Sequence, residues 1–532
     1  MGIAGLIIMT IQMGAKGTAF VINGISKLRE KRLLFPVVLV LALCIGGGYL
    51  ADKTGNPVLF IPMSLAVMLL PSAIVILIRI NGLKKEKSNV ANPLRSLRPH
   101  GVVFGKQGKV YIAKPEELDG HVLVVGGVGT GKSSCIAIPT LRSFGESVFA
   151  IDIKGELYEK TKGYRPNIKS FNPLDDSSYG YDPYFCLYHS DNSAQEARAI
   201  AQAVVPLPPD TKEPFWIESA QNIFTAAVLH FSAMGLSFLQ TIQQIQGMPP
   251  KGLIGELCAS PTRESVYFVN NFLGMDDKTV AGIVSELSKN IVCYVTDKNL
   301  ISALSRKKNI TPDDLEYGND IYIQIPEHLL RQWKNLLTLI VNQFLTHFEK
   351  RQEANARPIL FLLDEFPRLG KVSAMLDGLA TLRAKKISIC LIIQSLAQLD
   401  TIYGQNERKV ISDTCAYKAI LGATDADKQE YFSRLVGTYD KQVTSHGENR
   451  EAFTGLPKGT STNTYEHETR IIKPHEFGML NDIVLLTPFT FVFQQKQPEG
   501  APKIFFSATQ AIPETSVSFC RVEKCPYYLE SR

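Results

Sequence analysis

Apolar residues follow three patterns along this chain. Two early runs, 33–51 and 58–78, carry no charge, and each is long enough to cross about 30 Å of hydrocarbon as a helix. Beyond residue 100 the apolar runs shorten to strand length: Val122 to Val125, Val148 to Ile151, Asp320 to Ile325, Ile359 to Leu363 and Ile387 to Ile393. Such largely apolar runs predict strands buried on both faces, and helical-period stretches at Lys334 to Arg351 and Val372 to Lys385 alternate with the later ones. From Tyr188 to Thr296 the pattern changes again. AQEARAIAQAVV, FWIESAQNIFTAAVLHFSAM and TVAGIVSELSKNIVCYV repeat apolar residues at helical spacing with almost no strand-like alternation. The expected fold class is α/β, with an all-alpha insertion and an N-terminal two-helix transmembrane hairpin.

Charge orients the hairpin. Lys27, Arg29, Lys31 and Arg32 precede the first run, Arg79, Lys84, Lys85 and Lys87 follow the second, and only Asp52 and Lys53 lie between, so both ends are expected in the cytoplasm. The first run lies late and a second follows promptly, which argues against a cleaved signal peptide. Met1 to Ile25 is moderately apolar and reads as an interfacial helix, a third weak span or a mis-assigned start. Gly101 to Ala113 alternates like a hairpin, and Gly437 to Glu468 is polar enough for a long mobile loop or irregular hairpin. Ile483 to Leu486 and Phe489 to Gln494 read as the last strands, followed by a short polar tail. The expected divisions are 1–88 at the membrane, 89–187 and 299–512 as two parts of a nucleotide-binding domain, 188–298 as the all-alpha domain, and 513–532 as the tail.

The candidate chemistry lies at strand ends. GGVGTGKS, Gly126 to Ser133, fills the pattern G-x-x-x-x-G-K-[ST] directly after an apolar strand and before a predicted helix from Lys132 to about Phe144. Its glycines let backbone N–H groups close on phosphate oxygens, Lys132 supplies a cation, and the Ser133 hydroxyl can ligate Mg²⁺. ILFLLDE, Ile359 to Glu365, ends in two acids: Asp364 to hold Mg²⁺ through water and Glu365 to polarise the attacking water. Asp152, at the end of another apolar run, ranks second as a metal acid. Lys132 and Asp364 are 232 residues apart, which is why an insertion is needed between them. Gln394, just past a buried strand, is either a γ-phosphate sensor or a helix cap, and Arg383 is either an arginine finger or a solvated helix charge.

Composition narrows this little. A net charge of +6 over 532 residues permits a nucleic-acid partner without demanding one. The nine cysteines, with no C-x-x-C pair, indicate neither a disulfide framework nor a zinc site, and Cys520 and Cys525 read as reduced thiols.

With these residues placed, the chain resembles the type IV coupling proteins, TraG/TraD-type ATPases of conjugation and type IV secretion. The resemblance rests on the paired spans, GGVGTGKSS, IDIKGELYE, FNPLD at Phe171 to Asp175, PFWIESAQ at Pro214 to Gln221, LLDEFPRLGK at Leu362 to Lys371 and IIQSLAQL at Ile392 to Leu399, in that order. It implies a RecA-like P-loop domain interrupted by an all-alpha domain and assembled as a homo-hexamer on the bacterial inner membrane. Such a ring passes relaxase-bound single-stranded DNA, or effector proteins, to the components of a secretion channel. It further implies ATP and Mg²⁺ as cofactors, bound by Gly126, Gly127, Gly129, Thr130, Gly131, Lys132, Ser133 and Ser134, with Ser133 and Asp364 on the metal. Glu365 then takes the water-activating position, Arg383 the finger position and Gln394 the sensor position. The sequence ends soon after the nucleotide-binding domain, without the C-terminal extension that some members use, so substrate docking is expected on the all-alpha domain. Two rival readings are a docking receptor in which hydrolysis is incidental and a duplex-DNA-translocating ring. The paired acids count against the first, the helical insertion against the second.

Overall fold

A strand that is apolar at every position needs cover on both faces, and alternate residues of these strands do enter two different cores. The computed structural model describes residues 92–208, 211–353, 356–450, 457–493 and 515–525. The spans at 33–51 and 58–78, and Met1 to Ile25, lie outside them. In chain order the strands are β1 (Arg95–Ser96), β2 (Val102–Gln107), β3 (Val110–Lys114), β4 (Val122–Val125), β5 (Ser147–Asp152), β6 (Ile168–Phe171), β7 (Asp320–Gln324), β8 (Ile359–Leu363), β9 (Ile387–Ile393), β10 (Tyr417–Ile420), β11 (Thr438–Arg450), β12 (Pro457–Arg470), β13 (Ile483–Phe493) and β14 (Thr515–Val522). Nine of them form one sheet in the order β14-β13-β10-β4-β9-β8-β5-β7-β6. From β10 to β6 the neighbours are parallel, whereas β13 and β14 add antiparallel edges.

Leu123, Val125, Phe149, Ile151, Phe361, Leu363, Leu391 and Ile393 face one core. Val122, Val124, Val148, Ala150, Leu360, Leu362, Cys390 and Ile392 face the other. The first core runs without a break into the helices that occupy the described chain between β6 and β7. Its members include Ile200, Phe224, Val228, Ile242, Leu257, Ile283 and Leu287, together with Leu337, Ile340 and Phe344 of the Leu330–Glu349 helix. Polar contacts tighten the same seam: Asn335 donates to the Val204 carbonyl at 2.9 Å and Gln343 to that of Pro183 at 2.8 Å. No single helix among the described residues is long and apolar enough to cross a membrane. The most apolar pair, Pro214–Ala233 and Phe238–Gly247, is bent by 119° and contributes its apolar residues to this core.

Several expectations need correcting. The helix after the phosphate loop is a π-helical stretch, Ser133–Ala137, continued by Ile138–Ser143. The helix expected over Val372 to Lys385 spans only Met375–Thr381, so Arg383 sits in the turn that follows it. Of the two alternatives for the polar stretch after Gly437 the irregular hairpin stands: β11 and β12, of 13 and 14 residues, pair antiparallel in a sheet of their own, with a register shift at Asn449/Arg450. With no apolar face, its alternation was invisible in the pattern. The tail is not free either. β14 pairs with β13, and Phe519, Cys520 and Val522 are buried. Cys520 and Cys525 are unbridged and buried. Strand β10 went unread, because four residues of mixed polarity, YKAI, are too few to show a period.

The β2–β3 hairpin covers the second core and is pinned by a buried cation. The Lys114 ammonium, fully buried, donates to Ser388 Oγ of β9 at 2.7 Å. Burial pushes its pKa down to about 8, against the pull of Asp119 and Glu116. An unfolded lysine titrates near 10.4, so between about pH 8 and 10 the unfolded chain holds a proton that the folded chain lacks. Stability should therefore rise with pH across that window, by up to about 1.4 kcal/mol per pH unit. Denaturation midpoints measured from pH 7 to 10 check this: Lys114→Met should flatten the rise, and a flat wild-type profile would mean the ammonium stays charged in the fold.

Candidate active site

The parallel strands deliver their C-terminal ends to one edge of the sheet, where α/β sites form. Register fixes the spacing. Leu123 pairs with Leu391, and Leu391 with Leu363, so the phosphate loop after β4 and the acids after β8 stand two strands apart, roughly 10 Å. Gly126 N donates to the Ile393 carbonyl at 3.2 Å, which seats the loop against the end of β9 beside Gln394. Gly129 and Gly131 have φ of 75° and 96°, the left-handed region that glycine enters without strain. A Cβ at Gly126 would stand 2.5 Å from Thr130 Oγ1, and one at Gly131 would stand 2.9 Å from Cys135 Sγ. The cradle therefore fits a polyphosphate only with these glycines in place.

Lys132 turns back on its own loop, donating to the Gly126 carbonyl at 2.6 Å and that of Gly127 at 2.8 Å. Burial lowers its pKa, opposed by the charges of Asp364 and Glu365. Ser133 opens the following helix and Ser134 contacts Cys135 Sγ at 3.6 Å. Asp364 is buried, and its carboxyl is pushed up to about 6, first by burial and then by repulsion from Glu365. A cation at this spot would reverse that logic and hold the carboxylate ionised.

Glu365 is one of two non-glycine residues with positive φ among the described residues, at 51°. Its buried carboxylate is held by two cations that sequence reasoning did not assign to the site. Lys154 Nζ lies 2.7 Å from Oε1, and Arg368 Nε lies 2.8 Å from Oε2 as an ion pair. Both cations stand in stretches that carried the resemblance, IDIKGELYE and LLDEFPRLGK, but nothing local marks them as partners of Glu365. Asp152, the second-ranked acid, lies beside Asp364 on the neighbouring strand and accepts from the Tyr158 amide at 2.8 Å, in the first turn of the Glu156–Thr161 helix. Helix capping explains it without a metal. Of the alternatives at Gln394, capping falls to its neighbour, since Ser395 Oγ accepts from Ala397 N at 3.2 Å.

Arg383 lies at the far end of the sheet. It is exposed, four residues before the start of β9, in a turn closed by Lys386 N to the Arg383 carbonyl at 3.2 Å and completed by the other positive-φ residue, Lys386 at 60°. The seven residues of β9 separate it from the phosphate loop by roughly 20 Å. No rotamer of an arginine bridges that gap, so Arg383 cannot reach the site of its own subunit.

A model of the family described as type IV secretory system conjugative DNA transfer matches residues 75–489. The chain belongs to that family. Among curated members, Protein VirD4 of Rhizobium radiobacter is 27% identical over 363 residues, 65% of this chain and 52% of its own length. Conjugal transfer protein TraG of Escherichia coli is 24% identical over 502 residues, 79% of this chain and 76% of its own. The chain spans about half the length of the VirD4 relatives from Rhizobium and Agrobacterium. The plasmid coupling protein TrwB in complex with ADP and Mg²⁺ shares the fold, with a TM-score of 0.57 at 18% identity over 74% of this chain and 86% of that one. For this conjugative-transfer family member, the α/β fold with its mixed sheet is thus a shared architecture.

Proposed function

We propose that this family member is a Mg²⁺-dependent ATPase of a hexameric ring, anchored in the inner membrane by 33–51 and 58–78. Hydrolysis drives transfer of relaxase-bound single-stranded DNA, or of effector protein, into a type IV secretion channel. The observation that carries this reading is the convergence of the phosphate loop with Asp364 and Glu365 at one sheet edge, while Arg383 stands at the opposite edge, where only a neighbour's site can use it. The ADP and Mg²⁺ named for TrwB support the choice of cofactors.

In this reading the loop amides and Lys132 hold the β- and γ-phosphates, Lys132 exchanging its two loop carbonyls for phosphate oxygens. Ser133 and Asp364 would hold Mg²⁺, which would supply neutralisation of phosphate charge. Glu365 accepts a proton from the attacking water, which requires it to loosen from Lys154 and Arg368. Gln394, at the end of the strand between the loop strand and the acid strand, is placed to sense the γ-phosphate. The helices of 188–298 form the domain that meets cargo.

DNA binding by the assembled ring tests the cargo. Single-strand handling predicts binding that is insensitive to sequence and falls steeply with salt, with a log-log slope of roughly −0.7 per phosphate neutralised. Preference for duplex would favour the duplex-translocating ring, and salt-independent or absent binding would move the cargo to protein.

A further inference from the structure

The polar ribbon of β11 and β12 has two unlike faces. Successive strand residues alternate between the faces, and directly paired residues share one. Register therefore sets Tyr439 with Thr469, Lys441 with His467 and Val443 with Tyr465 on one face. On the other, Asp440 pairs with Glu468 and Gln442 with Glu466, and Glu448 lies further along. All the acids of the two strands thus stand on a single face. Thr438 Oγ1 donates to Glu468 Oε1 at 2.6 Å, a diagonal contact within it. The acid-free face carries both of the ribbon's tyrosines, and Tyr465 is 53% exposed.

The ribbon is anchored but uncovered. Among the described residues neither strand pairs with a third, and a lone two-stranded ribbon is marginal in water. Its base is fixed to the Ala426–Val436 helix: Arg470 Nη2 lies 2.9 Å from Glu430 Oε1, and Ser433 Oγ donates to the Ile472 carbonyl at 2.6 Å. That helix follows β10 at the phosphate-loop edge, where Leu421 N donates to the Val125 carbonyl at 2.8 Å. From this root the strands run on for roughly 40 Å.

An occupant of the acid-free face must suit aromatic rings and a cation, and must shun the carboxylates behind it. A single nucleic-acid strand does both. Its phosphates are drawn to lysine and repelled by carboxylates, and its unpaired bases stack on aromatic rings whatever their identity. Tyr439 and Tyr465 stand roughly 14 Å apart along the ribbon, so each can take a base of its own. A duplex keeps its base faces inside its own stack and offers these rings nothing. A protein partner would call for a continuous apolar patch, and Val443 is the one aliphatic residue on this face.

We propose that this face of the ribbon binds single-stranded DNA, with one base stacked on Tyr439 and another on Tyr465. The acidic face keeps the strand off the other side. The inference deepens the single-strand reading of the cargo and rests on it.

Binding of oligo(dT) to the full chain assembled in lipid nanodiscs, at fixed low salt, tests it. Tyr439→Ala and Tyr465→Ala should each weaken binding about tenfold, and Tyr465→Phe should retain it. Thr464→Ala, on the acidic face, should change nothing. Unchanged affinity in both tyrosine-to-alanine variants overturns the ribbon assignment, and so does an equal loss in Thr464→Ala. A wild-type ring that binds no oligonucleotide overturns the single-strand reading instead. Photocrosslinking of an iododeoxyuridine oligonucleotide to the wild-type ring does not depend on how any variant folds. Label within 439–443 or 465–469 is expected, and label confined to other peptides sinks the proposal.

Discussion

Rings that mix Lys132→Ala and Arg383→Ala subunits should hydrolyse ATP, although neither variant does so alone. Arg383 stands roughly 20 Å from its own phosphate loop along β9, so its charge serves the neighbouring subunit or none. An arginine finger acts only as negative charge develops on the transferring phosphoryl group, and its loss typically costs about 10³ to 10⁵ in turnover with nucleotide binding retained. In a mixed ring some interfaces join an intact loop on an Arg383→Ala subunit to an intact finger on its Lys132→Ala neighbour. Those interfaces should recover activity, provided hydrolysis does not require every site to fire in sequence. Absence of rescue in rings shown to be mixed counts against the assignment in trans. An active Arg383→Ala protein returns this residue to a solvated charge on a turn.

Lys132→Ala should abolish turnover while leaving the unfolding transition of the chain in place. Among the described residues the ammonium donates only to the carbonyls of Gly126 and Gly127, so its removal opens no cavity in either core. Its own burial disfavours the charge it carries, and the fold gives up little with it. Loss of a single preorganised charge at a developing oxyanion costs at least about 10² to 10³ in rate. Steady-state hydrolysis and thermal unfolding, measured on the same preparation, check both halves. Normal turnover would remove the loop from the chemistry, and a collapsed transition would show that Lys132 is structural.

What the sequence made legible was whatever is written locally. The phosphate loop is eight consecutive residues whose function is backbone geometry, and Asp364 and Glu365 directly follow an apolar run of strand length. What stayed hidden depends on residues that meet across the fold. Lys154 and Arg368 hold Glu365 from β5's loop and from the turn after β8, and no spacing rule links the first to its acid. Arg383 was legible as a charge on a helix, but its distance from the loop appears only once β9 is known to run parallel to β4. β14 stayed hidden for another reason: an edge strand is read from its partner, and Phe519, Cys520 and Val522 gain meaning only beside β13.

The first core, shared by one face of the sheet and the helices between β6 and β7, has a consequence for how the subunit comes apart. Two domains with separate cores melt in two steps, and each survives excision of the other. Here Phe224 and Ile283 belong to the same continuous apolar body as Phe149 and Leu363, so heat has one body to melt and not two. Cutting out the helices would strip to water the side of the Leu330–Glu349 helix that faces them, where Asn335 meets the Val204 carbonyl. The joint between them can therefore move only as a packed interface slides, in small rigid steps, and not as a hinge swings.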